Sequence, residues 1–457
     1  MKRLLLIFVS IIFVSCSFDN KTGIWKDASN TPIDNQVTRS IERGKSNSRY
    51  EDIFIKNQTY NKEKKPLNIL NVEIDEPFKG INWPEIYAVP TNNVSNFSYS
   101  GNKKLLSKTS KLSKFPSSRD GASRDIIFYK NNLISYDHKG TIFIYSLDLN
   151  KKIFEYNFYK KKFKKFDKEI HLIVNEDILY AADNLGYLYA LNLNNKSIVW
   201  AKNYGIPFRS NLKFAKNQIF LANQDNVIYS INSNSGNKDW QFATNLTFLK
   251  NDFQNNFALD ILRSNLLFLN TNGQLYSINY LSQKINWVLN FKKSSKPGDT
   301  ELFLSHPIVI KNDSIFISTE KKVTSYDLLK ASRKWNLSAI PIIKPIITSN
   351  YTYAILKNNL LICIDNVNGN VVWSKNIFGN RLDNKIKKKF DSIIDFKMVN
   401  NIINIYSRSG YLLSFNPNDG NLKYQNRISK NGINSKIFFL NNNMFFLDSD
   451  NRLLKFN

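Results

Sequence analysis

Side chains able to do covalent or acid–base chemistry are few and scattered. The 457 residues hold three histidines, His138, His171 and His306, and two cysteines, Cys16 and Cys363. An imidazole base or a thiolate nucleophile works only with a partner within hydrogen-bond reach. His138 stands in a turn (Tyr-Asp-His-Lys-Gly), His306 precedes Pro307, and no nucleophile motif accompanies any of the three. Each reads as surface or structural. Neither cysteine belongs to a C-x-x-C pair or neighbours a His cluster, so the spacing gives no zinc site. Cys363 lies inside LLICID, where it reads as a small buried hydrophobe. The residues predict no catalytic group and no metal, and leave a binding pocket open.

The regular spacing belongs to aromatic residues. Residues 186–200, GYLYALNLNNKSIVW, read as a strand, a polar turn and a strand ending in Trp, with Trp200 eleven positions after Tyr189. The same separation joins Tyr145 to Tyr156, Tyr229 to Trp240, Tyr276 to Trp287, Thr324 to Trp335, Ile362 to Trp373 and Leu413 to Tyr424. The anchors recur every roughly 45 residues, a period of solenoids and propeller blades. A further alternating strand precedes each copy. Gly186, Asn226, Gly273 and Gly410 supply the positive φ that a tight turn needs. Four short antiparallel strands per repeat, without helix, predict a propeller.

The chain ends partway through a copy. Asn451 to Asn457 matches the first half of the hairpin, with Leu454 at the anchor. The expectation is an all-β, eight-bladed propeller over residues 81–457. Its last blade borrows an outer strand near Leu106, which removes an exposed edge. Leu106 is expected in the Trp position. Trp200, Trp240, Trp287, Trp335 and Trp373 read as packing units between blades.

Met1-Lys2-Arg3, the apolar run 4–14 and Val14-Ser15-Cys16 resemble a bacterial lipoprotein signal. Residues 1–15 are then a signal peptide and Cys16 the lipidated first residue. Ser17 beside it resembles the pattern sent on to the outer membrane. Residues 16–80, polar and without period, read as a largely disordered tether, with residues 67–78 docking on the main domain. The formal charge of +27 suits an anionic partner; it also accompanies a general abundance of Lys, Asn, Ile and Phe. Export argues against nucleic acid. The runs Lys160–Lys162, Lys164–Lys165 and Lys387–Lys389 fall in inter-blade loops, on a solvated surface or facing anionic lipid.

The repeat G-x-L-Y-A-L-N/D followed by a terminal Trp resembles that of pyrroloquinoline-quinone-type propellers. That family includes quinone-dependent dehydrogenases and the BamB-type lipoproteins of outer-membrane barrel assembly, which carry no cofactor. The dehydrogenases use a vicinal cysteine pair, which this chain lacks. Asn82-Trp83-Pro84-Glu85 resembles a segment preceding the first blade in BamB-type sequences. Residues 204–210 resemble the loop that contacts the partner, with Ile206 and Phe208 on its two apolar contacts and Arg209 on its Arg; ordinary blade packing stays open for Ile206 and Phe208. An acidic pair expected in the next inter-blade loop falls on Gln254 and Asn256, with Asp252 and Asp260 nearby. The resemblance implies a non-enzymatic scaffold on the periplasmic face of the outer membrane. It would be lipid-anchored and bind the periplasmic domain of the central assembly subunit. Unfolded outer-membrane clients stay open as a second partner. The alternative is a quinone-dependent dehydrogenase or a small-ligand-binding propeller.

Overall fold

The repeat folds as eight antiparallel sheets of four strands each. The computed structural model describes residues 16–18, 25–27, 59–67, 72, 74–116, 125–159, 163, 165–244, 256–292 and 303–457. Two units are distinguished, Met1–Gln58 and Thr59–Asn457. In the first, Cys16–Phe18 pairs antiparallel with Trp25–Asp27. The apolar run 4–14, the side chain of Cys16, Lys160 to Lys162, Lys164, Asp252 and Gln254 lie outside the described residues.

The second unit is the propeller. Blade 1 comprises Ile127–Tyr129, Asn132–Tyr136, Thr141–Ser146 and Lys151–Asn157. Blade 2 comprises Ile170–Asn175, Ile178–Asp183, Tyr187–Asn192 and Ser197–Asn203. Blades 3 to 7 repeat the order from Lys213, Asn256, Val309, Ile346 and Ile393. First strands of successive blades lie against one another and ring the axis. Second and third strands have neighbouring blades on both faces, and so read as nearly continuous apolar runs such as ILYAAD and NLLFL. Fourth strands face solvent; in SIVWAKN only Trp200 is buried.

Local chemistry sets the turns. Between first and second strands, paired positive-φ residues such as Lys216–Asn217, Asn400–Asn401 and Asn441–Asn442 make two-residue turns of the type I′ kind. Between second and third strands, Asp137, Asp183, Asn223, Asn270 and Asp448 each accept backbone N–H bonds from two and four residues on.

A β-bulge recurs in the outer ladder of every blade, as at Ala190/Leu191 and Cys363/Ile364. It turns the Trp inward from a strand whose other residues point out. Trp200 donates its indole N–H to Ser233 O (2.8 Å), Trp287 to Leu328 O (3.1 Å), Trp335 to Asn366 O (2.7 Å) and Trp373 to Pro417 O (2.9 Å), in each case on the following blade. Gly369 and Gly420 lie flat on the rings of Trp335 and Trp373; a Cβ there would come within 2.6 and 2.4 Å of ring atoms. Trp240 packs on Phe220, and its N–H has no hydrogen-bond partner among the described residues.

Blade 8 joins Phe438–Leu440, Asn443–Leu447 and Arg452–Phe456 to Leu105–Lys111, which supplies the outer strand from the N-terminal side. The expected closing strand is therefore present. Its register differs by one residue. Ser107 pairs with Lys455, the position that faces Trp in other blades, and Leu106 is the extra residue of the bulge, half-exposed. The helix Asn384–Lys389, capped by Asp383, holds the run Lys387–Lys389 between blades 6 and 7.

Two N-terminal stretches dock on this ring. Residues 59–65 lie along the outer strands of blades 5 and 6: Tyr60 N–H donates to Ser338 O (2.7 Å), and Lys64 exchanges backbone bonds with Ser374 (2.9 and 3.1 Å). Docking thus begins earlier than residue 67. Residues 80–97 cross one end of the central channel and bond to every blade, through the first strand in blades 1 to 7 and through the turn after it in blade 8. Trp83 exchanges backbone bonds with Phe128 (2.6 and 3.1 Å), and Pro84 O accepts from Val174 N (2.9 Å). Glu85 and Asn92 reach the fully buried Lys213 Nζ (2.5 and 2.6 Å). Pro90 O and Thr91 O accept from Leu259 and Ile310 (2.9 and 3.1 Å), and Asn93 Nδ2 donates to Ile347 O (3.1 Å). Phe97 bonds both ways with blade 7, and Gly80 O accepts from Asn441 N on blade 8 (2.8 Å). Trp83 stacks on Phe97 at 5.5 Å and meets Phe438 edge-on at 5.0 Å. The segment is a plug.

Candidate functional site

The loop after Trp200 is held by the turn Asp183–Gly186. Tyr204 N–H donates to Gly186 O (2.8 Å), and the Ile206 backbone packs on Gly186, where a Cβ would come within 2.9 Å. Gly186 has φ +86°, a conformation open to glycine at little cost. Ile206 is half-buried at the rim.

Of the two readings open for Phe208, the structure has blade packing. Phe208 is fully buried, its N–H donates to Asp183 O (3.1 Å), and its ring packs edge-on against Tyr204 and Tyr229. It therefore shapes the loop from below and is not an exposed anchor. Arg209 turns toward the channel, where Nη1 donates to Glu169 Oε2 at 2.6 Å. Asn256, expected at an acidic contact, opens the first strand of blade 4 and lines the channel mouth.

The other side of the same turn carries Phe166, which sequence reasoning missed. Asn184 Nδ2 donates to Asp167 O (2.9 Å), and Lys168 Nζ holds the loop through Phe163 O (2.6 Å) and Phe166 O. Phe166 is left 59% exposed. Its only signal in the sequence is an apolar residue inside a Lys-rich run.

The channel is a cavity of about 1370 Å³ floored by the plug residues Trp83, Ile86, Tyr87 and Phe97. It brings together the three histidines that sequence placed in unrelated blades. Each is engaged: His138 Nδ1 with Lys114 O (2.9 Å), His306 Nε2 with Pro341 O (3.1 Å), and His171 Nδ1 at 3.7 Å from Asp125. Burial works against charge on His171, but Asp125 outweighs it and raises the imidazole above its ordinary value. Lys344, Lys397, Lys436 and Asp395 line the same cavity. Burial and the two neighbouring ammonium groups push Lys344 down to about 7; burial pushes Lys436 down to about 8.

A quinone cofactor with a metal would need clustered ligands. Among the described residues no three His, Cys, Asp or Glu side chains gather in a metal-holding group. Cys363 is fully buried in blade 6, and burial pushes its thiol well up.

The family model described as "Outer membrane protein assembly factor BamB" matches residues 148–375. The BamB of Legionella pneumophila (strain Paris) is 28% identical over 69 residues, 15% of this chain and 17% of that protein. The chain thus aligns with under a fifth of that relative's length. Among solved structures, BamB from Moraxella catarrhalis superposes with TM-score 0.59 at 12% identity, over 78% of this chain and 99% of that one. The quinohemoprotein alcohol dehydrogenase of Comamonas testosteroni superposes with TM-score 0.59 at 9% identity, over 82% and 80%. At such identities both likenesses speak to the fold alone. Repeat, blade count and family match together make this chain a BamB-like protein of the pyrroloquinoline-quinone-type propeller repeat.

Proposed function

We propose that this chain is a non-enzymatic scaffold lipoprotein of outer-membrane β-barrel assembly. In this reading residues 1–15 are the signal peptide, Cys16 carries the lipid, and the chain up to about residue 58 tethers the propeller to the periplasmic face of the outer membrane. The observation that carries it is the match of residues 148–375 to the BamB family model. The partner is the periplasmic domain of the central assembly subunit. The contact is the blade 2 rim, where Ile206 and the exposed Phe166 flank one turn and Arg209 stands behind them. The quinone-dependent dehydrogenase reading draws on the fold likeness alone.

Affinity capture of the tagged full-length chain from detergent-solubilised envelopes tests this. Recovery of the barrel-assembly subunit is expected. Ile206→Asp with Phe166→Asp should cut recovery by roughly tenfold at unchanged Tm, about 1.4 kcal/mol of contact. Arg209→Glu is a poorer probe, because it also breaks the pair with Glu169. Absence of the subunit, together with quinone-dependent dye reduction, would overturn the scaffold reading.

A further inference from the structure

Three ammonium groups converge on one side of the channel. Lys344 comes from the loop before blade 6, Lys397 from the first strand of blade 7, and Lys436 from the loop before blade 8. One carboxylate stands among them. Asp395 Oδ1 accepts from Phe396 N (2.9 Å) and Lys397 Nζ (3.1 Å), and Oδ2 accepts from Ile437 N (2.7 Å). Asp395 is thus committed to Lys397, which also sits 5.5 Å from the ring centroids of Trp83 and Phe97. Lys436 lies over Tyr87 at 4.7 Å. Asp125, the next acid toward Lys436, is taken by His171 and by Leu172 N (2.8 Å). Lys344 has no ion-pair partner among the described residues.

Three amines against one carboxylate leave the recess with an excess of positive charge, which reaches two when all three are protonated. Like charges held this close in a low-dielectric setting repel strongly, and an incoming anion gains what they lose. The plug floors the cavity beneath them.

We propose that Lys344, Lys397 and Lys436 form a binding site for a small doubly charged oxyanion, of phosphate-monoester or dicarboxylate chemistry. A bound anion favours the protonated form of Lys344 and Lys436; a dianion then neutralises the fully protonated cluster, and a monoanion leaves it half-compensated. The site lies on blades 6 to 8 and the proposed partner rim on blade 2, so either assignment can fail without the other.

Calorimetric titration of the full-length chain in low salt with phenyl phosphate, succinate and the monoanion benzoate tests the site. One of the two dianions should bind saturably, and which one does so identifies the class. Benzoate should bind roughly tenfold more weakly or not at all. Lys344→Gln with Lys436→Gln should weaken the dianion by roughly tenfold or more. A second measurement needs no variant. Acylation of Lys344 and Lys436, followed by mass spectrometry, should slow when the dianion saturates, while exposed Lys202 keeps its rate. Absence of saturable binding by both dianions, or acylation of Lys344 and Lys436 unaffected by them, overturns the proposal.

Discussion

Asp75 shows how a single carboxylate ties the plug's approach to the ring. It accepts from Lys311 Nζ (2.5 Å) on blade 5, from Ser349 Oγ (2.6 Å) at the blade 6 turn, and from Ser95 within the plug. Burial acts to raise its pKa, but these partners outweigh burial and hold it below the ordinary 3.8. The stability it contributes is therefore present above that value and fades as pH falls through the lower folded value. Asp75→Asn should lose about 1–2 kcal/mol at pH 7 and flatten the acid limb below pH 4. Urea unfolding at pH 7 and pH 3 measures it; a variant as stable as the parent at pH 7 would remove Asp75 from this role. Nothing around Asp75 in sequence announces three partners up to 274 residues away.

The closing strand is the element on which the ring depends. Counting back from the anchors placed it near Leu106, since a truncated final copy must find its fourth strand elsewhere. Register was not legible, because a bulge shifts the pairing by one residue and its placement depends on the partner strand. Lys108, on this strand, pairs with the fully buried Asp448 at 2.8 Å. Asp448 also caps the last turn of blade 8. Lys108→Ala leaves that carboxylate buried without its cation, and should cost about 3 kcal/mol. Chemical denaturation checks this; a loss within ±0.5 kcal/mol would mean that the strand closes the ring without it.

At the scale of the whole molecule, the plug gives eight blades one shared set of bonds. Its polar side chains look like loop residues in sequence, yet Glu85, Asn92 and Asn96 are buried. Glu85 and Lys213 form an ion pair inside the ring, where burial acts against charge on both partners. Glu85→Ala would leave the ammonium without its counter-ion and should cost roughly 3–5 kcal/mol. If the plug couples the ring, hydrogen exchange will quicken in the first strands of all eight blades. Faster exchange confined to blade 3 would make the pair a local contact.

By itself the sequence determined what repeats: the strand pattern, the turn residues, the Trp spacing and the count of eight. Each of these is a local preference written again in every copy, so the periods survive without knowledge of the fold. The Asn abundance, which composition alone leaves as bias, serves positive-φ turn positions such as Asn217, Asn401 and Asn442. Tertiary structure alone decided what does not repeat. It buried Phe208, exposed Phe166, laid residues 80–97 across one end of the channel and set three lysines around one aspartate. Those outcomes depend on residues hundreds of positions apart meeting at the ring's axis and rim, and no local pattern encodes such a meeting.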